Sequence, residues 1–279
     1  MTEEMGQIET PDGVALATRA WTTTDPWAAM LLVHGLGEHS GRWDHVGAFF
    51  AERGIEVRAF DLRGHGRSGG KRTHVDDFGT FGDDVQSVVE AEIVPLGLPW
   101  VLYAHSMGGL IGAGYLIDDR PHPDVAVLTA PALDDNLAGY VRIAAQALGS
   151  IMPGLLVPNS VAGEQLSRDP AVGERYFADP LVETKATTGM GKAGFAEQRR
   201  VKDACSGIAV PTLVLHGADD PLVPPSASAP LAASPMVQRK LYPGLRHEIH
   251  HEPEQEQVLE DIFVWLGENL RDQRGEGSR

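Results

Sequence analysis

The chain is poor in cysteine and in basic residues, and each shortage excludes a class of protein. Its 279 residues include one cysteine, Cys205, so no intramolecular disulfide can form and zinc sites built from paired cysteines are excluded. Lysine and arginine together number 23, against 39 aspartates and glutamates, which gives a formal net charge of −16. Because a field of that sign repels phosphate backbones, we expect no nucleic-acid partner.

The sequence also lacks a long unbroken apolar segment. Its most apolar stretch, residues 137–157, is interrupted by Arg142 and Pro153, so we do not expect it to span a bilayer. Residues 1–12 are acidic and have no apolar core, unlike a secretory signal peptide. We therefore expect a cytoplasmic protein, while peripheral contact with a membrane and the oligomeric state are left open.

What the chain does have is an alternation of short apolar runs and longer amphipathic segments. Residues 28–33 and 100–104 have the length and apolarity that are typical of strands buried on both faces of a sheet. Residues 44–53 and 81–93 instead place apolar side chains at helical spacing. Repeated strand–helix units predict an α/β protein with a mainly parallel central sheet flanked by helices. Ligands bind beyond the carboxyl ends of such strands, so the loops there are the informative ones.

A serine follows one of these strands directly. Residues 100–109 (WVLYAHSMGG) run from an apolar strand through Ser106 into a helix, which is the setting of the nucleophile elbow, Gly-x-Ser-x-Gly. Ala104 replaces the first glycine of that pattern, and Gly108 supplies the second. A serine that merely caps a helix is the alternative. The hydrolase interpretation is favoured because an acid and a histidine follow in the chain order that this fold requires.

A serine hydroxyl needs a base, and the base needs an orienting carboxylate. The predicted strand 212–216 is followed by an acidic pair, Asp219 and Asp220. We favour Asp220 as the acid because it stands third after Gly217 and directly precedes Pro221, where the acid of such hydrolases usually sits. Asp219 would then be a turn former.

Three histidines compete for the role of the base. His247, His250 and His251 all follow the predicted strand 238–242. We favour His247 because it comes first after the strand and its glycine turn. The other two would face solvent or substrate.

The oxyanion that forms on the acyl carbon needs two backbone N–H donors. One donor is predicted to be Met107, the residue after the nucleophile. The other is expected from the loop at 34–37 (HGLG), whose two glycines let it fold over the elbow. Leu36 is the candidate donor in that loop.

Several segments together resemble the monoacylglycerol lipase group of serine hydrolases, close to bacterial lysophospholipase-like enzymes. The resemblance extends over nearly the whole chain, and its most selective part is the loop 37–42 (GEHSGR). The segments are 34–43 (HGLGEHSGRW), 61–70 (DLRGHGRSGG), 104–109 (AHSMGG), 167–170 (SRDP), 176–181 (YFADPL), 215–220 (LHGADD) and 242–247 (YPGLRH).

This resemblance implies an α/β-hydrolase fold and cleavage of a monoacylglycerol to fatty acid and glycerol, with no cofactor and no metal. It implies an acyl-enzyme on Ser106, with His247 protonating the leaving glycerol and then activating water. The resemblance also implies that a narrow polar pocket for glycerol is lined by Glu38, Arg42, His105, Tyr176 and His250. For each of these residues the alternative is a structural role, such as an ion pair that holds a loop.

Residues 134–200, where the alternation of strands and helices is lost, then correspond to a helical cap inserted after the sixth strand. Residues 1–133 and 201–279 would form the hydrolase core. Three interpretations of the apolar stretch 137–157 stay open: a wall of an acyl tunnel, a transient contact with a membrane interface, or packing onto the core.

Two other functions compete with monoacylglycerol hydrolysis. One is a lysophospholipase or general carboxylesterase with a different alcohol group. The other, from a different class, is a catalytically silent binding protein with the hydrolase fold. An intact set of Ser106, Asp220 and His247 disfavours the silent protein.

Overall fold

The computed structural model describes residues 2–159 and 161–271, which are built around an eight-stranded sheet. The strands are β1 (Thr2–Glu9), β2 (Ala15–Thr22), β3 (Ala28–Val33), β4 (Ile55–Phe60), β5 (Trp100–His105), β6 (Val125–Thr129), β7 (Leu156–Pro158), β8 (Lys185–Thr187), β9 (Thr212–Gly217) and β10 (Val237–Tyr242). The order in the large sheet is β1-β2-β4-β3-β5-β6-β9-β10, and β7 pairs with β8 apart from it. In the large sheet, the pairs along β4-β3-β5-β6-β9-β10 are all parallel, whereas β1 and β2 are antiparallel to their neighbours. The predicted α/β class with a mainly parallel sheet is therefore confirmed.

Helices cover both faces of this sheet. They are α1 (Asp44–Ala51), α2 (Gly79–Val88), α3 (Met107–Ile117), α4 (Gly139–Ile151), α5 (Gly163–Leu166), α6 (Pro170–Ala178), α7 (Thr188–Ala204) and α8 (Gln255–Arg271). Helices α2 and α3 contribute to one apolar cluster, and α1 and α8 contribute to another on the opposite face. Residues Pro225–Ala233 form a 3₁₀ helix, and Pro230 within it has no N–H to donate in an α-helix.

The strand that leads to the candidate nucleophile is held from both sides. Along β5, Leu102 and Ala104 face one apolar cluster, while Val101 and Tyr103 face the other. This alternation follows from the period of two residues in a strand, and all six residues of β5 are buried. The packing fixes the point from which the next residue, Ser106, leaves the sheet.

The segment between β6 and β9 contains α4 to α7 and the β7–β8 pair. Its helix α4 lies close against α7, and a Cβ at Gly149 would stand 2.5 Å from the carbonyl oxygen of Thr188. The separation of a cap (134–200) from a core (1–133 and 201–279) stays a prediction, and Met1, Ser160 and residues 272–279 lie outside the described residues. No helix in the described part of the chain has the length and apolarity that a membrane span requires.

Candidate active site

Ser106 occupies a strained turn between β5 and α3. Its φ of 54° and ψ of −117° lie in a region that residues with a side chain rarely adopt. The turn is possible because the chain passes very close to β3, where a Cβ at Gly108 would stand 2.3 Å from the carbonyl oxygen of Val33. The geometry therefore requires glycine at 108 and points the Ser106 hydroxyl away from the sheet.

A hydrogen-bonded chain joins Ser106 to a histidine and an acid. The Ser106 hydroxyl lies 2.9 Å from His247 Nε2, and His247 Nδ1 lies 2.7 Å from Asp220 Oδ2. The structure thus brings Asp220 to the histidine, whereas Asp219 is exposed. His250 and His251 belong to a 3₁₀ turn, Ile249–His251, that follows His247.

The acid is held as a carboxylate. Asp220 Oδ1 accepts hydrogen bonds from the backbone N–H groups of Leu222 (2.8 Å) and Val223 (3.0 Å). Burial alone would raise the pKa of Asp220, but the charge of His247 and hydrogen bonds from His216 and His247 hold it well below its usual range. Burial likewise opposes protonation of His247, yet the charge and hydrogen bond of Asp220 leave the pKa of His247 raised.

Two backbone N–H groups are free to meet an oxyanion above Ser106. Neither the Leu36 nor the Met107 amide donates a hydrogen bond within residues 2–159 and 161–271. The loop that carries Leu36 approaches the elbow closely, since a Cβ at Gly35 would stand 3.1 Å from Ser106 Cβ. His34 Nδ1 lies 2.8 Å from the Gly35 carbonyl oxygen, and this bond helps to orient the peptide that carries the Leu36 N–H.

A cavity of about 300 Å³ opens beside Ser106. Much of its wall is apolar and comes from the sheet side and from helix α7 together. Apolar lining residues include Leu36, Phe78, Met107, Leu110, Met190 and Phe195. The polar part of the wall includes Glu38, His105, Asn159, Tyr176 and Glu248.

Behind the polar wall, Arg42 pairs with two buried acids. Its guanidinium lies 2.9 Å from Glu38 Oε2 and 2.7 Å from each carboxylate oxygen of Glu248. Burial would raise the pKa of Glu248, but the charge of Arg42 holds it well below its usual range. The Arg42 guanidinium also stacks 4.8 Å above the ring of Tyr176. One cation thus anchors three residues of the cavity wall.

Arg42 and His250 do not line the cavity, contrary to the expectation from the sequence. Arg42 lies behind Glu38 and Glu248, which face the cavity and bind its guanidinium, and His250 is completely buried with its ring stacked 4.2 Å from Trp43. Burial lowers the pKa of His250, so its ring is neutral. His105 does line the cavity, and burial lowers its pKa to about 3.

The sequence prediction missed three residues that belong to this site. Glu248 directly follows the candidate base, Asn159 lies in a loop after β7, and His216 lies in the strand before the acid. Their positions beside predicted site residues would have suggested Glu248 and His216. Nothing local to Asn159 would have done so. Within the described residues, no group of three His, Cys, Asp or Glu side chains could hold a metal ion.

Known proteins are similar to this chain in sequence. The profile of the Hydrolase_4 family, described as "Serine aminopeptidase, S33", matches residues 24–254. The monoacylglycerol lipase of Mycolicibacterium smegmatis is 38% identical over 267 residues, which cover 92% of this chain and 95% of that protein. The monoglyceride lipase of Homo sapiens is 31% identical over 281 residues, which cover 95% of this chain and 91% of that protein.

A solved structure is similar to this chain as well. The crystal structure of Paleococcus ferrophilus monoacylglycerol lipase matches with a TM-score of 0.78 at 30% sequence identity, covering 96% of this chain and 100% of that one. These similarities confirm the α/β-hydrolase fold and the resemblance that the sequence motifs predicted.

Proposed function

The chain belongs to the Hydrolase_4 family, and from this membership and the site geometry we propose that it hydrolyses monoacylglycerols to a free fatty acid and glycerol. The observation that carries the proposal is the hydrogen-bonded chain of Ser106, His247 and Asp220 at a cavity with both apolar and polar walls. An ester of a long acyl chain and a small polyol needs both kinds of wall.

The proposed reaction begins with attack of Ser106 on the ester carbonyl carbon. His247 Nε2 takes the hydroxyl proton, and Asp220 stabilises the imidazolium that forms. The N–H groups of Leu36 and Met107 bind the oxyanion of the tetrahedral intermediate. When the intermediate collapses, the C–O bond to glycerol breaks and His247 returns the proton to the leaving oxygen.

The second half of the reaction repeats these steps with water. His247 removes a proton from a water molecule, which attacks the acyl-enzyme. The bond between the acyl carbon and Ser106 Oγ then breaks, and the serine regains its proton from His247. The products are the fatty acid and the resting enzyme.

Glycerol specificity is assigned to the polar wall. Glu38, His105 and Tyr176 face the cavity and offer hydrogen-bonding groups to hydroxyls. Arg42 and His250 would act from behind, Arg42 by fixing Glu38 and His250 by packing on Trp43. This arrangement assigns them supporting roles instead of the direct contacts that the resemblance implied.

The polar wall also disfavours the competing substrates. Its two carboxylates, Glu38 and Glu248, face one guanidinium, that of Arg42, so the cluster is poorly suited to the phosphate of a lysophospholipid. The same ion pairs occupy both carboxylates, which weakens the case for binding the ammonium group of a peptide substrate, the chemistry that the family description suggests.

Residues 134–200 are proposed to form a cap that contacts the lipid phase. Several apolar side chains on and after α4 are exposed, among them Tyr140 (78%), Ile143 (70%) and Ile151 (78%). Helix α7 of the same segment lines the cavity through Met190 and Phe195. A cap with one apolar face toward solvent and another toward the cavity would let a substrate pass from a membrane interface to Ser106.

A substrate panel tests the proposal. Purified protein is assayed with mono-, di- and trioleoylglycerol, lysophosphatidylcholine, a short-chain ester and an aminoacyl anilide, with Ser106→Ala as the control. We expect the highest kcat/KM on the monoacylglycerol and no turnover by Ser106→Ala above background. Equal rates on triacylglycerol would contradict a narrow polar pocket, and preference for the anilide would replace the lipase assignment with a peptidase.

A further inference from the structure

A second histidine binds the acid of the proposed triad. His216 in β9 is fully buried, and its Nε2 lies 3.1 Å from Asp220 Oδ2 and 3.0 Å from the Val223 carbonyl oxygen. Its other ring nitrogen, Nδ1, lies 2.9 Å from Ser228 Oγ. The described mechanism gives this buried histidine no role.

The partners of His216 fix the proton on Nε2. A carboxylate oxygen and a carbonyl oxygen both accept hydrogen bonds and cannot donate one, so Nε2 must carry the hydrogen. Ser228 Oγ accepts a bond from Arg239 Nε at 3.0 Å, and its single hydrogen can be donated either to Nδ1 or to the Pro225 carbonyl oxygen at 3.1 Å, in which case Oγ accepts from Nδ1. Whether Ser228 Oγ donates to Nδ1 or accepts from it, His216 Nε2 directs an N–H at Asp220.

Asp220 Oδ2 is therefore shared between two histidines. His247 Nδ1 donates to it at 2.7 Å and His216 Nε2 at 3.1 Å, while Oδ1 accepts the two backbone N–H groups of Leu222 and Val223. The carboxylate cannot rotate without losing several of these four bonds. The bond from His216 also draws on the same negative charge that stabilises protonated His247.

We propose that His216 is a positioning residue of the site, holding Asp220 Oδ2 toward His247 Nδ1–H and sharing its charge. The inference rests on the proposed triad, since it needs His247 to act as the base. It does not depend on which ester or amide is cleaved.

Loss of the Nε2–H group of His216 should shift the pKa of His247 in a defined direction. The other groups that face His247 are Glu38, Glu248 and the ring of His105, whose centroid lies 4.8 Å from that of His247. These groups are unchanged when His216 is replaced. With one donor fewer on Oδ2, Asp220 attracts the His247 proton more strongly, so His247 should titrate at higher pH.

A matched pair of variants isolates this N–H group. His216→Gln can place an amide N–H near the position of Nε2, whereas His216→Asn is too short to reach Asp220. Both carry the same carboxamide group and differ by one methylene. Ser228→Ala, which removes the partner of Nδ1 and keeps His216, gives a smaller effect of the same sign and replaces His216→Asn if that variant does not fold.

The readout does not require the correct substrate. We measure the second-order rate at which a fluorophosphonate modifies Ser106, as a function of pH, and the downfield proton resonance of His247 Nδ1–H in the resting protein. His216→Asn should react about tenfold more slowly at its plateau, the change expected for one hydrogen bond to a charged group. Its acidic limb should move to higher pH, and His216→Gln should restore both quantities.

The possible outcomes separate the two proposals. Folded His216→Asn with an unchanged acidic limb and an unchanged His247 resonance would overturn the positioning role, as would a His216→Gln variant that is equally impaired. Failure of the wild-type protein to hydrolyse monoacylglycerol, with fluorophosphonate reactivity intact, would count against the proposed substrate and leave the role of His216 standing.

Discussion

The two walls of the cavity are built differently. On the sheet side, the polar side chains are fixed by several partners each; Glu248, for example, binds Arg42 through both carboxylate oxygens and also binds His251. On the side formed by residues 134–200, α7 presents Gly191 and Gly194 to the cavity, and α4 exposes apolar side chains to solvent. From this difference we infer that the sheet side carries the chemistry, which needs fixed geometry, and that α7 on the other side sets which acyl chains are accepted, while Tyr176 contributes to the polar wall.

We call the sheet side of the cavity the fixed wall. Its sharpest test compares the same substitution at two adjacent residues, Asp220 and Asp219. Asp220→Asn should lower kcat by about 10⁴-fold, because an amide cannot stabilise protonated His247 and favours the wrong histidine tautomer. Asp219→Asn should change kcat by less than about twofold, since the side chain is exposed. Steady-state kinetics on a monoacylglycerol measures both. A larger loss for the Asp219 variant would move the acid by one position.

The strands of the central sheet and the residues that follow them show what the sequence could predict. The parallel strands were predictable because β3, β5, β6 and β9 are apolar runs buried on both faces. The proposed triad could be inferred because Ser106, Asp220 and His247 lie in the loops that follow β5, β9 and β10, at the edge where parallel strands all end. Strand β1 was not predicted, since its exposed sequence (TEEMGQIE) has no apolar face. Its pairing comes from its hydrogen bonds with β2.

The polar wall was less predictable for a physical reason. Glu38 and Glu248 are 210 positions apart, and only the fold brings both to Arg42. The sequence allowed a pairing of Glu38 with Arg42, but it could not show that Arg42 would lie behind the cavity wall instead of lining it. The same holds for His250, whose position depends on stacking against Trp43.

Removing the cation behind the polar wall should destabilise the protein. Arg42→Met leaves Glu38 and Glu248 buried without their partner, which should cost about 3–5 kcal/mol of unfolding free energy. Lys240→Met is the matched control, since it breaks an exposed pair with Asp261 and should cost less than about 1 kcal/mol. Urea denaturation measures both. Equal losses would mean that the buried cluster contributes no more than a surface pair.

The pH profile tests the fixed wall without a substitution. His247 must be neutral to accept the Ser106 proton, and its pKa is raised by Asp220, so kcat/KM should fall on an acidic limb centred above the ordinary histidine pKa of about 6.5. The fall should be about tenfold per pH unit, because Asp220 stays ionised and adds no second proton. A slope of two, or a limb centred below pH ~6, would contradict this assignment.

The glycines of α7 test the other wall. A Cβ at Gly191 would meet no atom within 4 Å, and Gly191 lines the cavity, so Gly191→Leu should extend into space that an acyl chain would occupy. We expect about a tenfold loss of kcat/KM on long-chain monoacylglycerols and little change on short-chain esters. Gly267→Leu, at an equally open glycine of α8 away from the cavity, is the control. Equal losses on both chain lengths would argue against an acyl site along α7.

The smallest effect is expected at the outer face of α4. Replacing Tyr140 and Ile143 by serine removes two of its most exposed apolar side chains, and each should weaken binding to lipid vesicles by about threefold if it inserts only partly. Val264→Ser on α8 removes a side chain of comparable character, 52% exposed, from a different part of the surface and should not change binding. Vesicle co-sedimentation gives the affinity, and turnover of a water-soluble short ester by the same variants shows whether the fixed wall is intact. Weaker vesicle binding with normal ester turnover would separate lipid contact from chemistry, as the two-wall interpretation requires. Unchanged binding would instead assign the exposed face of α4 to a role other than lipid contact.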